Sequence, residues 1–292
     1  MMRTKAQIFR DEFEKPGLLM RPCAYDSLSA KVIEQAGFRV MGTSGYGISA
    51  VAIGEPDIGL LSFGGMFDQC RRIINAVEIP VDVDADTGYG NEENTYWTVR
   101  KFAEIGASAV RIEDQTWPKR CGHMSDKQVI GREEMALKIK AAKKAAAEID
   151  PGMMIGARTD SLAVEGLRST LERINIYAEN GADYIYVECP RTHEEIEILV
   201  RHSPRPISMN IIPGGKSPFF DPKILEDLGI KYLSLPMICL YPAVKAMREA
   251  LIALKNGDLQ TVKNLGVTWS EFNDIVGLKF WQKLRADLSS VT

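Results

Sequence analysis

Short apolar runs alternate along this chain with longer stretches whose apolar residues recur every three to four positions. The runs of strand length are "LLMRPCA" (18–24), "RVMGTS" (39–44), "IPVDVDA" (79–85), "ASAVRIE" (107–113), "MMIGAR" (153–158), "ADYIYVE" (182–188), "RPISMN" (205–210) and "KYLSLP" (231–236). Between them "SLSAKVIEQAG" (27–37), "NEENTYWTVRKFAEIG" (91–106) and "TLERINIYAENG" (170–181) carry helical spacing and end in a glycine suited to a helix C-cap. The phrases "AGF" (36–38), "IGA" (105–107), "NGA" (180–182) and "LGI" (228–230) stand before the second, fourth, sixth and eighth runs. Helix stop, tight turn and buried strand, repeated in this way, predict an α/β fold of the (β/α)8 TIM-barrel type over about 15–256. An open doubly wound sheet fits less well, because the first βα turn lacks G-x-G-x-x-G and no Walker motif occurs.

After the eighth run come "YPAVKAMREALIALKNG" (241–257) and "SEFNDIVGLKFWQKLRADL" (270–288). The second exceeds what eight units need and predicts an extra C-terminal helix within an extension of about 257–292. It packs on a neighbouring subunit or as an added helix. Residues 1–292 thus read as a single α/β-barrel domain.

Bulk properties narrow the function classes. The chain has 292 residues, is 45% hydrophobic and 26% charged, and carries a net charge of −3, so nothing favours nucleic acid or an anionic membrane as partner. The basic run "KIKAAKKAAA" (138–147) reads as a solvated helix face. The opening "MMRTKAQIFRDEFEKPG" has no apolar core of a signal peptide, and no run of ~18 apolar residues suggests a membrane span. Five widely spaced cysteines (Cys23, Cys70, Cys121, Cys189, Cys239), without a C-x-x-C pair, point to reduced thiols and a cytoplasmic setting.

Barrel enzymes place their chemistry at the C-terminal ends of strands. Those ends here carry Ser44-Gly45, Asp84 and Asp86, Glu113, Arg158, Glu188 and Asn210, at the exits of runs two to seven. In "DVDAD" alternation puts Asp82, Asp84 and Asp86 on one face, and Asp57 of "GEPDIG" and Glu113 can add oxygens. Carboxylates without histidine or thiolate partners suit Mg²⁺, or Mn²⁺, held partly through water. Arg158 can fork onto a substrate carboxylate, and the Ser44-Gly45 backbone can approach another. The partner expected is a small anionic substrate. The stretch "WPKRCGH" (117–123) sets Cys121 behind Lys119 and Arg120, which predicts a thiol of lowered pKa suited to acid–base or nucleophilic chemistry.

Together, "TSGYGIS", "GEPDIG", "DADTGYG", "RIEDQ", "KRCGH", "GARTDS", "YVE" and "MNIIPGGKSP" resemble the isocitrate lyase / phosphoenolpyruvate mutase superfamily over about residues 5–286. The resemblance implies a Mg²⁺-dependent carbon–carbon lyase in which Cys121, on a mobile gating loop, protonates the carbanion left by cleavage. Lys119, Arg120 and His123 would tune that thiol and bind substrate, and Arg158 would hold the oxygen that becomes a carbonyl. Metal would be anchored by Asp84, with Asp57, Asp86 and Glu113 behind water. Thr43, Ser44, Gly45, Tyr46, Gly122, Glu188, Asn210 and Pro236 complete the substrate site. The base that takes the hydroxyl proton stays open among Tyr46, a carboxylate and metal-bound water. Phosphonate-forming mutases and phosphonopyruvate hydrolases typically lack the cysteine, so Cys121 favours a lyase.

The segment "PGGKSP" (213–218) resembles the 2,3-dimethylmalate lyase and petal-death-protein subgroup rather than the usual isocitrate and methylisocitrate lyases. Pro236 stands where the similar oxaloacetate hydrolases carry serine, which suits an alkyl-bearing 2-alkylmalate, specifically 2,3-dimethylmalate. Methylisocitrate and oxaloacetate are the alternative substrates. The resemblance also implies a homotetramer of dimers that exchange the C-terminal helix.

Overall fold

The computed structural model describes residues 3–289. Eight parallel strands close into a barrel in sequence order: β1 (Leu19–Ala24), β2 (Met41–Thr43), β3 (Val81–Asp84), β4 (Ala109–Glu113), β5 (Met154–Thr159), β6 (Tyr184–Val187), β7 (Ile207–Asn210) and β8 (Tyr232–Leu235). Seven of the eight apolar runs read from the sequence contain one of them, trimmed where the chain enters or leaves the ladder, and β5 runs one residue past its run, to Thr159. Closure runs through β1 and β8, with Leu19 opposite Tyr232 and Pro22 opposite Leu235. Gly37, Gly106, Gly181 and Gly229 all adopt positive φ (86°, 87°, 109° and 91°), the left-handed turn that brings each preceding helix back onto the barrel.

Inside the barrel the side chains form layers, as alternation requires. The helix Lys5–Glu14 closes the N-terminal end by inserting Phe9 and Phe13 among Leu19, Met154, Tyr184 and Tyr232, all at strand starts. Burying one phenyl ring is worth ~1.5–3 kcal/mol. Above this plug Arg21, fully buried, pairs with Asp82 and donates to Ser234 Oγ at 2.6 Å. Asp82 also accepts from the Tyr184 hydroxyl at 2.9 Å. Asp82 therefore belongs to the barrel's lower layer, two residues below the site. The next layers, moving toward the strand exits, hold Arg111, Tyr186 and Asp84, and then Glu113, Glu188 and Asn210.

The C-terminal extension differs from a single helix. It forms three short ones, Leu259–Leu265, Trp269–Ile275 and Leu278–Ser289, with Gly277 at φ 80° breaking the last two apart. The helical spacing of the apolar residues runs straight through that break, so periodicity alone could not reveal it.

Candidate active site

The strand exits converge on a small cavity with a free volume of about 40 Å³. From β2, the Thr43 hydroxyl accepts the Asp84 amide at 2.8 Å, and Ser44 caps the helix Gly45–Ala52 by accepting the Gly47 amide at 3.0 Å. Gly45 lies so close to the acids that a Cβ there would sit 3.3 Å from Asp84 Oδ2. Thr43, Ser44, Gly45, Tyr46, Asp57 and Asp84 all line this side.

The acids are tied to cations. Lys119 Nζ lies 2.6 Å from Asp57 Oδ1 and 2.7 Å from Asp86 Oδ1, and Arg111 Nη2 lies 3.1 Å from Asp84 Oδ2. Tyr89 donates to Asp86 Oδ2 at 2.8 Å. Burial works to raise Asp84, but Arg111, Lys119 and Arg158 outweigh it and hold that carboxyl at about 2. Burial prevails at Asp86 and Glu113, whose carboxyls are pushed up. Asp57 and Asp84 face the cavity, whereas Asp86 and Glu113 stand behind them.

This set fits a hard divalent cation. Its donors are all oxygens, and Glu113 Oε1 is buried without a hydrogen-bond donor among the described residues. Six carboxylates (Asp57, Asp84, Asp86, Glu113, Asp160, Glu188) face four cations (Arg111, Lys119, Lys127, Arg158) across these ion pairs. The carboxylates outnumber the cations by two, and a bound dication would offset that excess and favour the ionised forms of Asp86 and Glu113 against burial. A tighter trio, His123, Glu188 and Cys189, brings its ligand atoms within 4.8 Å of one another, but its protons are differently committed. The Lys216 amide donates to His123 Nδ1 at 2.8 Å, which assigns the proton of the neutral ring to Nε2, 3.3 Å from Glu188 Oε1. A nitrogen that carries a proton is no ligand.

The segment 119–124 roofs the cavity. The Cys121 amide donates to the Asp57 carbonyl at 3.0 Å, and the thiol lines the cavity beside Gly122 and His123. Gly122 is packed flat: a Cβ there would fall 2.2 Å from Glu188 Cδ and 2.5 Å from Arg158 Nη2. Burial pushes the Cys121 thiol up to about 11, with Glu188 and Asp57 adding to it. This corrects the lowered pKa expected from the two neighbouring cations. Lys119 spends its charge on Asp57 and Asp86, and Arg120 points into solvent, exchanging backbone hydrogen bonds with the Gln115 side chain at 3.0 and 2.8 Å. Arg120 therefore stands apart from the cavity where it was expected to bind substrate.

Arg158 is already engaged: its Nε and Nη2 reach Asp160 at 2.8 and 3.2 Å, and Nη1 reaches Glu113 at 3.2 Å. Asn210 donates to Glu188 Oε1 at 3.2 Å. Ile212, Pro236 and Met237 form an apolar patch in the lining, beside Asn210 and Ser234. Outside the roof, a second cavity of about 320 Å³ shares Tyr46, Cys121 and His123 with the inner one, and forms its antechamber. A further cavity, about 560 Å³, runs along Tyr241, Val244 and Ile252, with Glu249 the one carboxylate in its lining.

Arg111, Tyr186 and Ser234 also line the inner cavity and were not singled out from the sequence. The signal was present, since each stands two residues before a named exit residue (Glu113, Glu188, Pro236) and so shares its face. Arg111 stacks over Tyr186 with its guanidinium carbon 4.5 Å from the ring centroid.

Comparison with known proteins agrees with this geometry. Residues 9–255 match the family described as phosphoenolpyruvate phosphomutase. The 2,3-dimethylmalate lyase of Eubacterium barkeri is 39% identical over 279 residues, 95% of this chain and 96% of that protein. A solved oxaloacetate acetylhydrolase, bound to the inhibitor 3,3-difluorooxalacetate, superposes with a TM-score of 0.93 at 28% identity, over 98% of this chain and 97% of that one. A phosphonopyruvate hydrolase holding oxalate and Mg²⁺ gives 0.87 at 29% identity, over 97% and 99%.

Proposed function

Because the chain belongs to the phosphoenolpyruvate phosphomutase family, within the isocitrate lyase superfamily, we propose that it is a Mg²⁺-dependent carbon–carbon lyase cleaving a 2-alkylmalate. The specific substrate proposed is 2,3-dimethylmalate, cleaved to pyruvate and propionate. One observation carries this reading. A thiol kept protonated by burial and the Asp57 and Asp84 carboxylates line one cavity, together with an apolar patch of Ile212, Pro236 and Met237.

The residues divide the work. Asp84, Asp57, Asp86 and Glu113 would hold Mg²⁺ (or Mn²⁺), which when bound supplies Lewis-acid stabilisation of developing negative charge. Thr43, Ser44 and Gly45 present backbone to a substrate carboxylate. Arg158, fixed by Asp160, Glu113 and Glu188, holds the oxygen that becomes the carbonyl. Loss of the 2-hydroxyl proton breaks the C2–C3 bond; C2 becomes the ketone of pyruvate and the electron pair passes to C3. Cys121 delivers its proton to C3, giving propionate. The raised thiol pKa keeps that proton in place at neutral pH until a carbanion demands it. Burial also raises the Tyr46 hydroxyl, which disfavours it as the base.

The apolar patch favours an alkyl group over a third carboxylate. Lys216, the cation of the 213–218 segment, spends its ammonium on the Met124 carbonyl at 2.8 Å. The test is pyruvate release from a panel of 2-alkylmalates, methylisocitrate and oxaloacetate. Preference for methylisocitrate or oxaloacetate over every 2-alkylmalate would overturn the substrate proposal. No helix among the described residues is long and apolar enough to cross a membrane, and we place the enzyme in the cytoplasm.

A further inference from the structure

The Gly122 carbonyl, in the roof of the cavity, accepts the Lys127 ammonium at 2.6 Å. The same ammonium reaches Asp160 Oδ1 at 2.5 Å, and Asp160 forks onto Arg158. Lys127 is buried, which is unusual for lysine and tolerable here because the charge meets a carboxylate and a carbonyl together. The Cys189 thiol approaches the same carbonyl at 3.6 Å and Glu188 Oε1 at 3.4 Å, and its one proton serves either in turn. Nothing in the chemistry above uses Lys127 or Cys189.

We propose that Lys127 is the positioning residue that pins the Gly122–His123 peptide, next to Cys121, over the cavity, with the Cys189 thiol as a weaker second pin. The tie runs from the roof through Lys127 and Asp160 to Arg158 at the end of β5, so the thiol's height over the cavity is fixed to the group that holds the substrate oxygen. A hydrogen bond from a charged donor is about twice as strong as a neutral one, which makes Lys127 the main tie. Gly122 makes the arrangement possible, because only a residue without a Cβ lets its carbonyl sink toward Lys127 while its Cα rests on Glu188 and Arg158. The free volume under the roof is only about 40 Å³, and lifting the roof to enlarge it breaks this tie.

The effect on turnover rests on Cys121 being the proton donor; the pinning itself does not. The test uses full-length Lys127→Met and Lys127→Arg, with the rate of iodoacetamide modification at Cys121 read by peptide mass analysis. Cys239, half-buried on another segment, serves as internal standard. Loss of a charged hydrogen bond is expected to speed Cys121 labelling roughly 10- to 100-fold in Lys127→Met, with Cys239 unchanged and Lys127→Arg in between. In kinetics, kcat falls more than KM rises, since the roof still admits substrate but no longer seats the thiol. Labelling of Cys121 within twofold of the parent rate in folded Lys127→Met overturns the proposal. Should that variant not fold, Lys127→Gln, which removes the charge, is expected to speed Cys121 labelling roughly 2- to 10-fold, and no change there overturns the proposal equally. Faster labelling with unchanged kcat would leave the pin standing and remove Cys121 from the chemistry.

Discussion

Arg111 Nη2 lies 3.1 Å from Asp84 Oδ2, so the carboxylate that faces the cavity is braced from inside the barrel by a buried guanidinium. The brace sets the direction in which Asp84 presents its oxygens. Asp84→Ala should abolish measurable Mn²⁺ binding, read by titration calorimetry. Asp86→Ala and Arg111→Met act from behind the facing carboxylate and should weaken it by roughly 10- to 100-fold. Equal losses for Asp84→Ala and Asp86→Ala would show that both acids contact the ion.

Cys121→Ser should keep Mg²⁺ and substrate binding while lowering kcat by ~10² to 10⁴, because a hydroxyl is a far weaker acid than a thiol. With the thiol at about 11, thiolate is scarce at neutral pH and grows as pH rises toward that value. Alkylation of Cys121 in the free protein should accordingly be slow at pH 7 and accelerate steadily above pH 9. Rapid labelling at pH 7 would mean that the roof spends much of its time open.

Gly122→Ala introduces a Cβ into space held by Glu188 and Arg158. The roof segment lies at the surface of the barrel, so global stability should change little, while the closed state becomes inaccessible. The expected outcome is a thermal midpoint within a few degrees of the parent and a kcat reduced at least tenfold. A loss of stability without a loss of kcat would contradict that role.

The C-terminal helices expose Trp269 at 82%, Phe280 at 63% and Trp281 at 62%, more apolar surface than a solvated terminus carries. We expect a homotetramer built from dimers that exchange this segment. Sedimentation at micromolar concentration should give the tetramer, and removal of residues 266–292 should lower the assembly state. A monomeric parent protein would contradict the exchange.

The strands were readable because a parallel barrel buries every strand on both faces, leaving apolar runs that stand out from amphipathic helices. Asp84, Arg158 and Glu188 were readable for the same reason, as polar residues at the ends of apolar runs. Arg111 was not, because inside a run a lone arginine looks like an interruption until its layer is known. Arg120 misled because adjacency in sequence says nothing about which side of a loop a long side chain takes. Cys121 was found, but its acidity was misjudged: the pairing of Lys119 with Asp57 and Asp86 is a contact between distant segments that no local reading contains. Gly277 broke the final helix where hydrophobic spacing continued unbroken.

Phe9 and Phe13, wedged among Tyr184 and Tyr232, make the barrel a blind well with a stoppered floor. Traffic has one mouth, and Cys121 is in its lid. Whatever enters first lies deepest and leaves last. A cation seated against Asp84 must therefore arrive before the organic acid. Of the two fragments, the one that takes its proton from the lid is nearer daylight. For the 2,3-dimethylmalate cleavage proposed above, propionate should depart ahead of pyruvate, and pyruvate should compete with fresh substrate while propionate does not.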